Sequence, residues 1–254
     1  MSLVVVLEEK DFLVVEKPGG IATQPLTSPR TPSLLRRGPG GGTLAHLVAK
    51  KFPEIRSVGG ADWGAVHRLD RDTSGLVVFA RNQGAYDALR EAFSKNEVEK
   101  EYTALVEGAV EAHGKIDWPI GPDPKSDKKV KVYRNVAEAR RNKAQEAVTT
   151  LTPIPLASTA SERLPTPARG RGVTTLLKVV IKTGRRHQIR VHLAAIGHPI
   201  VGDALYGGPK ADRLYLHASR LKFRYPRDPK DPKPARWVEA SSPSPFSSES
   251  PSGR

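Results

Sequence analysis

Apolar residues occur along this chain in short runs divided by turn-forming residues, and the spacing inside each run indicates the element it predicts. DFLVVEKPGG, residues 11–20, reads as a strand closed by a Pro-Gly-Gly turn, with Glu16 and Lys17 at its exit. The preceding MSLVVVLEEKDF has no basic leader and meets acidic residues at once, so it reads as an opening strand rather than a signal or transit peptide. TLAHLVAKKF has helical spacing in Leu44, Leu47 and Val48. A polar, turn-like ADWGAVHRLDRDTS then runs into GLVVFA, a buried-strand pattern. QGAYDALREAFSKN predicts a helix with Ala85, Leu89 and Phe93 on one face. EKEYTALVEG returns to strand chemistry, Tyr102, Ala104 and Val106 alternating with Thr103 and Leu105. VTTLLKVVIKTG predicts another strand. In the RRHQIRVHLAAIG that follows, Ile189, Leu193 and Ile196 form a helical stripe ended by Gly197, where a C-cap glycine belongs.

The intervening segments are polar. Residues 25–43 are rich in Pro, Gly, Ser and Arg and predict a flexible loop; residues 153–172 predict a mobile insertion. Residues 121–145, with KSDKKVKVYR at the centre, are expected to form a solvated hairpin or loop. From about Glu239 the chain is Ser- and Pro-rich, so one folded domain is expected over 1–238 and a disordered tail over 239–254. No internal repeat is evident. Strands and helices interspersed without regular βαβ units argue for an α+β fold.

Composition narrows the classes of function. With 38% hydrophobic content, 254 residues suffice to bury a core, yet the longest apolar runs fall far short of the roughly 20 residues that span a bilayer. There are no cysteines, which excludes disulfides, thiolate catalysis and Cys-based zinc sites and fits a cytoplasmic protein. A formal net charge of +14 and a pI near 10.1 favour a polyanionic partner, because basic surfaces gain free energy by releasing counterions from phosphates. Charge that serves only solubility is the plainer reading.

Three segments together resemble the RluA-type RNA pseudouridine synthases: HRLDRDTSGLVVFAR at 67–81, KEYTALVEG at 100–108 and TGRRHQIRVHLAAIGHPIVGDALYG at 183–207. EKPGGIATQP at 16–25 resembles the opening segment of that family and LHASRLKF at 216–223 its closing one, and the likeness runs in order through residues 10–225. The resemblance implies a mixed, mainly antiparallel sheet with flanking helices and loops around a central RNA-binding cleft. It also implies isomerisation of uridine to pseudouridine in ribosomal or transfer RNA, with no cofactor, since nothing is oxidised and no group is gained. The chain starts directly in the catalytic pattern and so is similar to stand-alone members; a monomer is expected, acting on neither DNA nor membranes. The loops at 25–43 and 153–172 match nothing in the family pattern.

By the same resemblance, Asp70 corresponds to the catalytic aspartate. Taken alone, it lies in a polar turn before a buried strand, where a carboxylate that caps its own turn is the more ordinary reading, and only the whole family pattern reverses that. Asp72 is the better candidate for that structural role. Carboxylates commonly act against sugar-linked bonds as nucleophiles or charge stabilisers. Arg190 matches the arginine that the family pairs with its aspartate and is expected at the edge of an amphipathic helix; an arginine whose stem packs on the core is the alternative. Tyr102 matches the active-site tyrosine. Stacking on an extracted uracil is its safer assignment, since a phenol is a poor base at neutral pH, and an ordinary strand tyrosine is the competing one. Arg68 matches an arginine that fills the RNA stack once the target uridine has been flipped out. His67, Arg71, Arg185, Arg186 and His187 are expected to line the same basic surface. His187 and His192 lie five apart with no acidic third ligand nearby, so no metal site is expected. A non-catalytic RNA-binding or assembly-chaperone protein on the same fold is the alternative function.

Overall fold

The computed structural model describes residues 2–24, 42–155, 173–225 and 235–246. They form an α+β architecture of antiparallel strands with a few short helices. The chain divides into two compact units, Met1–Glu99 with Ala218–Ser242, and Lys100–His217 with Pro243–Arg254.

In the first unit, β1 (Val4–Glu8), β2 (Phe12–Lys17) and β3 (Ser74–Ala80) pair antiparallel, Val14 lying opposite Val78 and Glu16 opposite Leu76. Beside β3 lies β10 (Leu216–Tyr225), paired antiparallel with β11 (Arg236–Ser241). Every residue of β3 is buried, as its unbroken apolar run predicts. Helix α1 (Leu44–Lys51) is started by Thr43, whose hydroxyl accepts from the His46 backbone N–H while the His46 ring takes the N–H of Thr43. Histidine thus fills the place usually held by Glu or Gln in a reciprocal cap. Helix α2 (Gln83–Ser94), capped by Asn82, buries Ala85, Leu89 and Ala92 in a cluster with Phe12, Val14, Leu76, Val78, Leu221 and Phe223. Phe93, expected on that stripe, is half-buried against the same cluster and also stacks on His67.

The second unit is built on β4 (Glu99–Glu107), β5 (Gly114–Ile116), β8 (Thr149–Ile154) and β9 (Thr174–Ile181), antiparallel in the order β4-β9-β8-β5. The alternation expected in β4 gives way to a run from Tyr102 to Val106 buried on both faces. The basic segment forms a hairpin of β6 (Ile120–Asp123) and β7 (Ser126–Val132), followed by α3 (Val136–Arg141). Helix α4 (Gln188–Ala195) packs against β7 and β8, and Gly197 follows it at φ +86, the left-handed turn that ends a helix.

Three expectations change. Helix α4 is not amphipathic: all residues from Gln188 to Leu193 are buried, the helix packing on β7 and β8 while Asp203, Thr149 and the Trp118 carbonyl partner its polar side chains. The boundary at 238 falls inside β11, and Ala240, Ser242, Ser244 and Phe246 are buried beyond it, so residues 239–246 are no tail; their apolar and hydroxyl groups find cover in the fold. Of the expected loops, 25–41 and 156–172 lie outside the described residues, whereas Thr43 caps α1 and Pro153 and Ile154 belong to β8. No helix among the described residues is long and apolar enough to cross a membrane.

Candidate active site

Asp70, His67, Arg68 and Arg71 belong to the first unit, in the segment that leads into β3. Asp70 is half-buried in a turn closed by the Thr73 N–H donating to the Asp70 carbonyl at 3.2 Å. The turn is clamped from a distant part of the chain. Lys17, fully buried at the end of β2, donates from Nζ to the carbonyls of Pro18 (2.9 Å), Ile21 (2.8 Å) and Arg71 (2.8 Å). Arg71 returns the contact, its Nε donating to the Gly20 carbonyl at 2.9 Å, while the Gly20 N–H reaches the Arg71 carbonyl at 2.9 Å. The buried Thr23 hydroxyl exchanges hydrogen bonds with the Leu69 carbonyl and N–H, both at 3.2 Å. The two turns lie so close that a Cβ on Gly19 would stand 3.0 Å from the Asp72 carbonyl oxygen, which is why glycine follows the proline there. Burial lowers the Lys17 pKa to about 7, against the upward pull of Asp72 and Asp70.

His67 serves as a brace. Its Nε2 accepts from the Val78 N–H at 3.1 Å, and its ring stacks on Phe93 with centroids 4.5 Å apart. Arg68, its neighbour, is exposed. These contacts fix the backbone on either side of Asp70 and leave the arginine side chain toward solvent.

Tyr102, Arg185, Arg186, His187 and Arg190 belong to the second unit. Arg190 is buried in α4 and makes a bidentate pair with Asp203, Nε to Oδ2 at 2.7 Å and Nη2 to Oδ1 at 2.8 Å. Asp203 is itself buried, and its Oδ1 also accepts the backbone N–H groups of Leu205 and Tyr206, each at 3.1 Å. The Tyr206 ring lies 5.3 Å from the guanidinium carbon, and its hydroxyl meets His187 Nδ1 at 2.9 Å. Pair, ring and imidazole hold the guanidinium plane in one orientation. Burial raises the Tyr206 pKa, so the phenol stays neutral.

The loop before α4 is organised by Gln188. Its Oε1 accepts from the Thr183 hydroxyl and the Arg185 N–H, while its Nε2 donates to the Val148 carbonyl and Thr149 hydroxyl. His187 is consequently held at φ +51, a left-handed conformation that few residues with a side chain adopt. Arg185 donates to the Glu146 carbonyl, and Arg186 to the carbonyls of Asp127 and Lys128. Both arginines therefore tie the loop to neighbouring backbone. Tyr102, 7% exposed, stands opposite Val179 in the sheet. Two residues earlier Lys100 is buried with Nζ on the Lys182 carbonyl at 2.8 Å, and burial followed by the nearby Arg185 lowers its pKa to about 8.

Lys17, Thr23, Gln188 and Asp203 were not singled out as site residues from the sequence. A lysine ending an otherwise apolar strand, immediately before Pro-Gly-Gly, was the one available sign for Lys17. Asp203 carried no local sign, because its partner lies thirteen residues away.

Residues 11–195 match the family model described as RNA pseudouridylate synthase, and the chain belongs to that family. It is 36% identical over 230 residues to the uncharacterized RNA pseudouridine synthase YhcT of Bacillus subtilis, covering 89% of this chain and 65% of that protein. It is 33% identical over 242 residues to the ribosomal large subunit pseudouridine synthase D of Yersinia pestis, with 89% and 64% covered. An uncharacterized RNA pseudouridine synthase of Aquifex aeolicus is 37% identical over 205 residues, with 80% and 55% covered, so the chain spans somewhat under two thirds of these relatives. Among solved structures, human RNA pseudouridylate synthase domain containing 1 superposes with a TM-score of 0.68 at 25% identity, covering 96% of this chain and 84% of that one.

Proposed function

We propose that this chain is an RNA pseudouridine synthase in which Asp70 is the catalytic carboxylate. The observation that carries this reading is the clamp on the Asp70 turn: a fully buried lysine, Thr23 and a Pro-Gly-Gly turn are all committed to fixing one half-buried aspartate. An aspartate that merely caps a turn has no need of such support from residues some fifty positions away. Membership of the family supplies the reaction class.

In the proposed reaction the bond between uracil N1 and the ribose C1′ breaks, the base turns, and a bond forms between C5 and C1′. The proton on C5 leaves and N1 gains one, so atoms and electrons balance with no co-reactant. Asp70 acts on the sugar-base linkage, as carboxylates do in glycoside chemistry. Tyr102 stacks on the extracted uracil, Arg190 supports the carboxylate chemistry with a guanidinium set by Asp203, and Arg68 occupies the gap left by the flipped base. Arg71, Arg185 and Arg186 add positive charge toward phosphates, and His187 lines the same surface. Relatives named as ribosomal large subunit pseudouridine synthases favour ribosomal RNA as substrate over transfer RNA. The reading implies a monomer acting in the cytoplasm.

The test is pseudouridine mapping in total RNA incubated with purified protein. The parent should convert specific uridines, and Asp70→Asn should abolish conversion while RNA affinity stays within about threefold, an amide being close in size to the acid. An active Asp70→Asn variant would refute the assignment. A parent that binds RNA tightly yet never isomerises uridine would make the chain a non-catalytic RNA-binding protein.

A further inference from the structure

On the face of β10 and β11 that points away from the core of the first unit, the two strands carry six side chains in register: Arg224 opposite Trp237, Lys222 opposite Glu239, and Arg220 opposite Ser241. The alternate residues Leu221, Phe223, Val238 and Ala240 are buried in the core, so the pleat sets this outward face. Arg220 is occupied structurally, with Nε on Glu239 at 2.7 Å and Nη1 on Glu99 at 2.8 Å. Lys222 and Arg224 are arranged otherwise: each places its cationic group 5.1 Å from the centroid of the Trp237 ring. Trp237 is 56% exposed, the one aromatic among the exposed large apolar residues described.

We infer that this strip is a second RNA-contacting surface, a platform on which an unpaired base of the substrate stacks on Trp237 while Lys222 and Arg224 meet the flanking phosphates. An exposed aromatic bordered by cations is what sequence-tolerant binding of single strands requires: every base has a π-face and every linkage a negative charge. Lys222 and Arg224 are two residues apart on one face, about 6.8 Å along the strand, so they meet successive phosphates of an extended chain. A lipid surface fits less well, because insertion needs several apolar side chains and this face offers one beside a carboxylate. The strip lies outside every segment that carries the catalytic residues. The inference rests on the proposed function only for RNA as the partner.

Fluorescence anisotropy of the full-length protein with a labelled oligouridylate tests it. Trp237→Ala should weaken binding about fivefold or more, and Trp237→Phe, which keeps a ring, should bind within about twofold of the parent. The paired change Lys222→Ala with Arg224→Ala should flatten the dependence of log affinity on log salt by about 0.7 for each cation removed. Unchanged melting temperatures would exclude unfolding as the cause. Parent-like affinity in Trp237→Ala, or a Phe variant as weak as the Ala one, overturns the inference. So does Trp237-dependent binding to phosphatidylserine vesicles with oligouridylate binding unaffected. An inactive parent whose oligouridylate binding still depends on Trp237 would defeat the proposed function and leave this surface standing; an active parent with an indifferent Trp237→Ala would do the reverse.

Discussion

Replacing Lys17 by methionine removes the group on which the Asp70 turn rests while keeping an unbranched apolar stem. Three carbonyls lose their donor, those of Pro18, Ile21 and Arg71. The contact to Ile21 is buried, and stranding that acceptor costs about 1–3 kcal/mol; the two part-buried carbonyls regain water and cost less, about 0.5–1 kcal/mol each. The variant also no longer buries an ammonium group, which works in the opposite direction and depends on pH. With its pKa lowered from 10.5 to about 7, Lys17 sheds its proton in the folded protein at a pH where the unfolded chain still holds it. Since the unfolded state then binds more protons, the parent gains stability as pH rises above 7, by up to about 1.4 kcal/mol per pH unit. Methionine has no such dependence. The deficit of Lys17→Met relative to the parent should therefore be small near pH 6 and grow by about 2–3 kcal/mol between pH 7 and 9. Urea unfolding of both proteins across that range measures it, with equal slopes in denaturant as the sign that both unfold alike. A deficit that stays constant or shrinks with rising pH would refute the assignment of a buried, weakened base.

Asp203→Asn should cost about 3–5 kcal/mol in chemical unfolding, because the amide turns an N–H₂ toward donors and strands a buried guanidinium. In assays of pseudouridine formation the same change should lower turnover more than RNA affinity. Burial lowers the pKa of His192, whose ring is held by the Thr149 hydroxyl and the Trp118 carbonyl, so the unfolded chain takes up that proton first on acidification. Stability should fall as pH drops through 6.5 toward the folded value, and His192→Gln should flatten that part of the melting-temperature profile. Tyr102→Phe keeps the ring and should retain turnover within about tenfold; a loss of a hundredfold or more would give the hydroxyl a proton-transfer role instead.

What the sequence made legible was whatever depends on neighbours along the chain. The unbroken apolar run of β3, the stripe of α2 and the glycine ending α4 all report local periodicity, and each element lies where its pattern puts it. The segments around Asp70 and Arg190 were legible through their likeness to a family. The supports were not. Lys17 is joined to Arg71 across 54 positions, and Gln188 to Thr149 across 39, so neither partnership leaves a periodic trace. The amphipathic reading of α4 failed for a related reason. Arg190 and His192 look solvent-facing by residue type, yet Asp203, Thr149 and the Trp118 carbonyl supply buried partners for them. Polarity predicts exposure only when no distant group is waiting to neutralise it.

The four donors gathered on Asp203 bear on how the molecule spends its time between substrates. A long cationic side chain carries about 2 kcal/mol of rotameric freedom, and here that freedom disappears when the polypeptide folds rather than when a nucleic acid arrives. On the proposed reading, the guanidinium is already aimed when a substrate arrives, whereas Arg68, exposed to solvent, is ordered only then.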